Sequence, residues 1–387
     1  MNTVFINKFF KNIKLDSWLL KGKEQKSQED LTVLYAGSKY GKNYFCKIIY
    51  NRHYQESFLG KKWFWDLFRL NIRVNNNCSL IILESFYFFY KLFQKDNDFV
   101  IPSWVSTIID TSCIQPRFLK NKSLKNDIRR INKNRLSFQL THESFQFNNF
   151  YYNIYKPYIE KVHKDNAIID DYYYMKKKFN NNYILALIKK ENTFIGGNLI
   201  SCNGKQGKIW HIGVKDGNID YVKKGVVQAM FYFSSIWLKD RGCKSINLGL
   251  CRPFLNDGVL RFKKKWSPAI SYKKWLEKIF LFKFIDNTPG LQNFLINNPF
   301  IFIKNNSLTG AIFIANGSAL SKQNLNRIYK FYYFNGLAKL YLYQFQRDIN
   351  KQLIIPDYFF DKIKFCSTED LFKNIQIQEE IKKLKNF

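Results

Sequence analysis

The stretch from Trp210 to Trp266 decides the fold: WHIGVKDGNIDYVKKGVVQAMFYFSSIWLKDRGCKSINLGLCRPFLNDGVLRFKKKW. It opens on the strand KIWHIGV (208–214) and passes through KDGNIDYVKKG into a long apolar helix. Val222, Val226, Ala229, Met230, Phe233 and Trp237 form one stripe at helical spacing. Asn218 or Asp220 caps the start of that helix and Gly242 ends it. Ser245–Leu248 is a short buried strand. The free N–H groups at a helix N-terminus make an anion site, and Gly225 lets phosphate oxygens approach closely. Lys223 and Lys224 add positive charge there. The residues suit a pyrophosphate, yet neither GxxxxGK[ST] nor GxGxxG occurs. A plain helix with Gly and two lysines in its first turns is the other reading.

Upstream, Leu124, Ile128 and Ile131 share a helical face, and Lys122, Lys125, Arg129, Arg130 and Lys133 cover the rest. Leu136–Leu140 reads as a strand. A helix from Glu143 carries Phe147, Phe150, Tyr151, Ile154 and Tyr158, with a kink expected at Pro157. Tyr183–Ile188, Thr193–Ser201 and Lys208–Val214 are successive strands. The order is that of an α/β (α+β) domain built on a mixed central sheet.

Several further features also resemble the acyltransferase domains of the GNAT superfamily. These are the strand FIGGNLIS (194–201), the helix ending in RGC, the strand SINLG, the segment CRPFLNDGVLRFKKKW (251–266), and the upstream helices with KSLKNDIRRINKNRL and YKPY. Within the superfamily the similarity is to the branch of Fem-type peptide-bridge ligases and exopolysaccharide-associated acetyltransferases. It covers about residues 118–275. It implies a sheet whose two central strands splay to admit an acyl donor: acyl-CoA in most of the superfamily, aminoacyl-tRNA in the Fem branch. The implied acceptor is an amine on an amino sugar or cell-envelope precursor.

By that resemblance the donor pyrophosphate sits at Lys223, Lys224, Gly225 and Val226. There the superfamily signature Q/R-x-x-G-x-G/A is reduced to VKKGVV. Phe262–Lys263 is similar to the FK pair of Fem-type domains, whose lysine acts on the acceptor or the transition state. A lysine near a reacting carbonyl stabilises a developing oxyanion. The competing reading makes RFKKK a solvated helix face. Arg252 and Arg261 are substrate-binding candidates through forked bonds to a carboxylate or phosphate, or Arg252 bridges to Asp257. An ammonium acceptor must lose a proton before it attacks. His211 and Asp257 are the base candidates. A packed strand histidine and an ordinary Asp-Gly turn are the alternatives.

The rest of the chain bounds these readings. Its 387 residues carry 62 Lys+Arg against 30 Asp+Glu, a formal charge of +32, and 46% are hydrophobic. That is globular composition, not disorder. Leu80–Phe93 is the longest dense apolar stretch, and Glu84 and Lys91 interrupt it, so no transmembrane segment is expected. Lys8, Lys11 and Lys14 break any apolar export signal. Seven scattered cysteines without CxxC, and four unclustered histidines, predict free thiols in a reducing cytoplasm and no metal site.

The positive field draws phosphates, tRNA or other nucleic acid, or an anionic membrane surface. Many Lys, Asn, Ile, Phe and Tyr codons are A/T-rich, so codon bias is a second source of that charge. The aromatic runs Phe86–Tyr90 and Tyr172–Tyr174 are read first as packing and second as stacking surfaces. Three segments are expected. Residues 1–115 form an α/β region, which the resemblance to Fem-type proteins would make a degenerate GNAT-like half; 116–280 the acyltransferase domain; 281–387 a mixed hairpin and helical region. Thr32–Tyr35 and Tyr44–Tyr50 are predicted strands, Trp63–Leu70 a helix, 300–304 with 310–315 a hairpin, and Leu320 to Leu353 mostly helix. Three functions follow: a CoA-dependent N-acyltransferase, a Fem-like aminoacyl-tRNA-dependent transferase, or a non-enzymatic basic binding module.

Overall fold

The computed structural model describes residues 14–51, 53–63, 78–87, 98–114, 120–163, 167, 169–272, 278–315, 321–345, 361–369 and 371–372. Their strands are, in chain order, β1 (Lys14–Lys23), β2 (Asp30–Ala36), β3 (Tyr54–Trp63), β4 (Leu80–Phe86), β5 (Phe99–Pro102), β6 (Val105–Asp110), β7 (Leu136–Thr141), β8 (Ile184–Lys190), β9 (Thr193–Asn203), β10 (Gln206–Val214), β11 (Ser245–Cys251), β12 (Ala269–Ser271), β13 (Lys278–Phe284), β14 (Phe300–Lys304), β15 (Ser307–Ile314), β16 (Leu340–Gln344) and β17 (Ile363–Ser367). Two compact units hold them, not three consecutive segments. One comprises residues 1–105, 252–260 and 272–387, the other 106–251 and 261–271. Residues 1–105 and 281–387 thus contribute to one unit, because their strands pair into a single sheet, while 106–115 belong to the other. Among the described residues no helix is long and apolar enough to cross a membrane.

The first unit is a ten-stranded sheet in the order β17-β16-β15-β14-β5-β13-β4-β2-β1-β3. Its core is aromatic: Phe99 is ringed by Phe284, Phe300, Phe302, Phe313 and Tyr343 at centroid distances of 5.0–6.2 Å. Tyr44–Tyr50 belongs to the helix Lys39–Tyr50, not to a strand. Phe45, Cys46, Ile49 and Tyr50 recur at helical spacing on its buried side, a period that a short apolar run hides. The β14–β15 hairpin turns on Asn305 and Asn306, both at positive φ (48° and 59°). Ser307–Thr309, expected in the turn, therefore lies in β15. Residues 322–332 are helical, but Leu340–Gln344 is a strand. Within Trp63–Leu70, Trp63 ends β3 and 64–70 fall outside the described residues, as do 88–90 of the Phe86–Tyr90 run and 346–353 of the last predicted helix.

One polar group is central to this unit. Glu84 Oε2 accepts from Tyr35 Oη (2.7 Å), Ser38 N (2.8 Å) and Ser38 Oγ (2.5 Å), and Lys278 Nζ lies 2.9 Å from Oε1. Burial alone would raise this carboxyl, but the Ser38 and Tyr35 bonds and the Lys278 charge outweigh it and hold it below its ordinary value. A depressed folded-state value stabilises the fold above the unfolded-state value, and that contribution is lost as pH falls through the folded value. Glu84→Gln is expected to cost roughly 1.5–3 kcal/mol at neutral pH, the scale of hydrogen bonds to a charged group. Urea melts should show the gap to wild type closing as the pH is lowered into the acid range. A gap independent of pH would refute the ionic account.

The second unit is a seven-stranded sheet in the order β12-β6-β11-β10-β9-β8-β7. β7 to β10 are successive antiparallel neighbours, and β10 pairs β11 in parallel. Parallel neighbours need a crossover, and the helix Val226–Asp240 supplies it. That helix lies over Gly196, where a Cβ would meet Val226 Cγ1 at 2.3 Å. β8 is buried on both faces. Ala186 and Ile188 pack with the helix-side core, and Leu185 and Leu187 with Phe147, Phe150, Ile154 and Phe179 opposite. The kink expected at Pro157 becomes a π-helical turn, Phe150–Tyr155, immediately before the helix Lys156–His163. Proline lacks the N–H that would bond the Asn153 carbonyl, and the wider turn accommodates the loss.

Candidate functional site

The predicted long helix is two. Ile219–Lys223 is capped by the Asn218 side chain, and Val226–Asp240 starts after Gly225. Gly225 takes φ 96°, a left-handed conformation that favours glycine. A Cβ there would also lie 3.1 Å from Arg130 Cδ. The first bond within the longer helix runs from Ala229 N to Gly225 O (2.8 Å). The N–H groups of Val226, Val227 and Gln228 thus have no acceptor inside the helix. Val226 offers only its backbone, since its side chain is fully buried. Gly225→Val is expected to cost about 1–2 kcal/mol from the left-handed backbone alone. A denaturation midpoint no lower than wild type would contradict that conformation.

Beside this tip lies a cavity of about 650 Å³ lined by Arg129, Arg130, Lys133, Asn134, Asp220, Lys223 and Lys224. Five cations face one carboxylate, and Asp220 is already paired to Lys223 at 3.3 Å. Asn134 ties the two walls together: its Nδ2 donates to Arg130 O (2.9 Å) and Lys224 O (3.1 Å). Lys223, Lys224 and Gly225 therefore come together, and the helix Lys122–Lys133 brings Arg129, Arg130 and Lys133 to the same cavity.

The second element of the site is a gap in the sheet. β10 and β11 pair only at Gln206–Ser245, Gly207–Ile246 and Lys208–Asn247. Both strands continue, to Val214 and Cys251, without further pairing to each other. β10 is also bulged: its register with β9 shifts between Trp210 and Ile212, and His211 between them has φ 45°. The gap thus opens on the strand that leads into the cation-lined tip.

His211 Nε2 lies 2.8 Å from Asp170 Oδ2, and the ring packs against Trp210 and Tyr155. Burial, only partly opposed by Asp170, pushes the imidazole down to about 4. That favours the neutral ring and weakens it as a base toward an ammonium. Its backbone, as the bulged residue beside the gap, is its more direct contribution. Lys263 is buried, and its Nζ donates to Gly249 O (3.2 Å) and Leu250 O (3.3 Å). The solvated-face reading therefore fails for Lys263: its ammonium is anchored at the far end of β11. Phe262 packs in an edge contact on Phe231 (5.3 Å) and under Lys265 Nζ (4.3 Å), so it serves the core rather than presenting a substrate contact.

Lys264 was missed. Burial, with the Arg261 charge beside it, pushes its ammonium down to about 7. The pair was legible as like charges three residues apart on one helix, but the burial was not. Arg261 thus acts first as a neighbouring cation.

Two predicted residues belong to the first unit. Arg252 is buried among aromatic rings, its guanidinium carbon 3.9 Å from the Trp104 centroid and 4.0 Å from that of Tyr44. Its NH2 donates to Tyr40 Oη (2.8 Å). Neither a substrate fork nor the suggested bridge to Asp257 is its visible role; cation–π packing is. Asp257 Oδ1 accepts from Leu260 N at 2.8 Å, a turn cap that starts the helix Gly258–Lys264. Asp257 belongs to the first unit, and His211 and Lys263 belong to the second.

Four antiparallel strands, a parallel fifth reached through a helix, a bulge and an early-ending strand pair define the architecture. The second unit is a mixed α/β sheet flanked by helices. No protein-family model and no curated protein matches the chain. Its neighbours among solved structures include the C-terminal domain of a protein designated a lysylphosphatidylglycerol synthetase from Agrobacterium fabrum, with 12% identity over 70% of this chain and 84% of that one, at a TM-score of 0.35. FemX matches at 10% identity over 68% and 83%, TM-score 0.37. An aminoglycoside acetyltransferase from an uncultured soil metagenomic sample, in complex with sisomicin, matches at 16% identity over 37% and 93%, TM-score 0.29.

Proposed function

We propose that the chain is an N-acyltransferase that moves an acyl group, acetyl in the simplest case, from acyl-CoA to an amine. The observation that carries this reading is the early end of the β10–β11 pairing, on the strand that leads into a cation-lined helix tip. The donor's phosphates bind the Val226–Gln228 N–H groups with Arg129, Arg130, Lys133, Lys223 and Lys224 around them. Its acyl arm enters between β10 and β11. There the acceptor amine attacks the thioester carbonyl, and unpaired strand N–H groups stabilise the oxyanion. The tetrahedral intermediate collapses and expels the thiolate, which leaves with a proton. The incoming ammonium gives up its proton to solvent before it attacks. Lys263 holds the end of β11 and adds positive charge there. The acceptor class is an amino sugar or envelope-precursor amine, and the site of action is cytoplasmic.

A second donor has its own supporting observation. The exposed face of the helix Lys122–Lys133 carries Lys122, Lys125, Arg129, Arg130 and Lys133, while its one acid, Asp127, is buried against Lys265. An acid-free basic stripe running up to the cavity suits the backbone of aminoacyl-tRNA. Calorimetric titration with coenzyme A, acetyl-CoA and charged tRNA at two salt concentrations separates the readings. Saturable binding of acetyl-CoA supports the first. Binding of charged tRNA alone, above that of random DNA, supports the second. Equal, steeply salt-dependent binding of tRNA and random DNA, with no coenzyme A binding, would leave only a non-enzymatic basic module.

A further inference from the structure

We propose that Cys202 and Cys243 form an oxidisable thiol pair, a modification site at which a small disulfide such as oxidised glutathione drives closure of a Cys202–Cys243 bond. Cys202 and Cys243 are not joined by a disulfide. Folding nevertheless brings these two Sγ atoms to 2.9 Å. Both backbones are held in place. Cys202 sits in β9 opposite Gly207 of β10. Cys243 follows the left-handed Gly242 that ends the helix Val226–Asp240. Its N–H donates to Leu238 O (3.1 Å), and its carbonyl accepts from Thr111 Oγ1 (2.7 Å). The proximity is therefore built by a strand pairing and a helix cap, not by a chance loop position.

The two thiols differ in access. Cys202 is exposed and Cys243 is buried. Burial, with Cys202 beside it, pushes the Cys243 thiol up to about 12. Cys202 is therefore the sulfur that reacts first. Its thiolate attacks one sulfur of oxidised glutathione, forming a Cys202–glutathione mixed disulfide and releasing one glutathione thiolate. Cys243 then loses its proton to solvent and attacks the Cys202 sulfur, releasing the second glutathione. Two protein thiols are oxidised and one glutathione disulfide is reduced to two thiols.

The bond would tie the end of β9 to the segment entering β11, across the short zipped part of β10. It would close a loop that contains the whole crossover helix, constraining the unfolded chain. It would thus stiffen the closed end of the strand gap. The inference does not depend on which donor the gap takes.

The test is incubation of the full chain with oxidised glutathione, then alkylation and peptide mapping by mass spectrometry. The expected product lacks two hydrogens, loses alkylation at Cys202 and Cys243 alone, and melts at a higher temperature than the reduced form. Cys243→Ser should instead accumulate a stable glutathione adduct on Cys202, and Cys202→Ser should remain fully alkylatable. Continued labelling of both thiols in wild type, a persistent adduct without closure, or linkage of either cysteine to a different partner would overturn the proposal.

Discussion

Reversing the charge of the cavity, as Arg130→Glu with Lys224→Glu, is expected to weaken donor binding by about a hundredfold or more. Hydrogen bonds between charged groups contribute about 1.5–3 kcal/mol each, and reversal adds repulsion to their loss. Both residues line the cavity and neither is part of the buried core. Arg130→Gln and Lys224→Gln, which keep the side-chain stems, should fall between wild type and the reversal. Titration of coenzyme A and of charged tRNA reads the effect on each donor. If nucleic acid is the ligand, the salt slope should also shrink, by about 0.7–0.9 for each phosphate contact removed. Undiminished affinity of both ligands for the double variant would remove the cavity from the donor site.

Lys263→Ala is expected to lower turnover about 10²-fold, the scale on which a lost electrostatic contribution to the transition state is felt, with a much smaller change in donor affinity. The ammonium is buried on the carbonyls of Gly249 and Leu250, so its removal also leaves acceptors unsatisfied, at about 1–3 kcal/mol. The stability loss and the catalytic loss must be separated. Lys263→Met fills the same channel without charge. If turnover follows charge, both variants are equally slow even where Met restores the melting temperature. If Lys263 acts only by holding β11, Met should recover activity together with stability. Turnover unchanged in both would remove Lys263 from the mechanism.

Much of the second unit was legible because its elements obey strong local periods. The β8, β9 and β10 segments are short apolar runs set off by the turns at 189–192 and 203–207, and the crossover helix is set by its apolar stripe at helical spacing. The break at Gly225 was legible only in part. Its apolar stripe continues through Val222, so periodicity suggests one helix, whereas Arg130 closing over a left-handed glycine is a tertiary fact. The same limit hid the outer cations: Arg129, Arg130 and Lys133 lie nearly a hundred residues upstream of Gly225, and only the fold sets them opposite Lys224.

Arg252 and Asp257 misled for a different reason. Sitting in a family-like segment, they looked like substrate contacts, yet three aromatic rings and a turn amide take them up. The division of the chain was least legible, since local pattern says nothing about strands from both ends sharing one sheet.

Amide hydrogen exchange along β10, residue by residue, tests the central claim most directly. Among the 209–214 amides, those not bonded to β9 should exchange readily in the free protein, while residues 206–208 stay protected. On adding the donor that binds, whether acetyl-CoA or charged tRNA, the open set should become slow, together with Val226–Gln228. Strong protection of the whole of 206–214 in the free protein, or no change there at saturating donor, would contradict an opening between β10 and β11 that receives the acyl group.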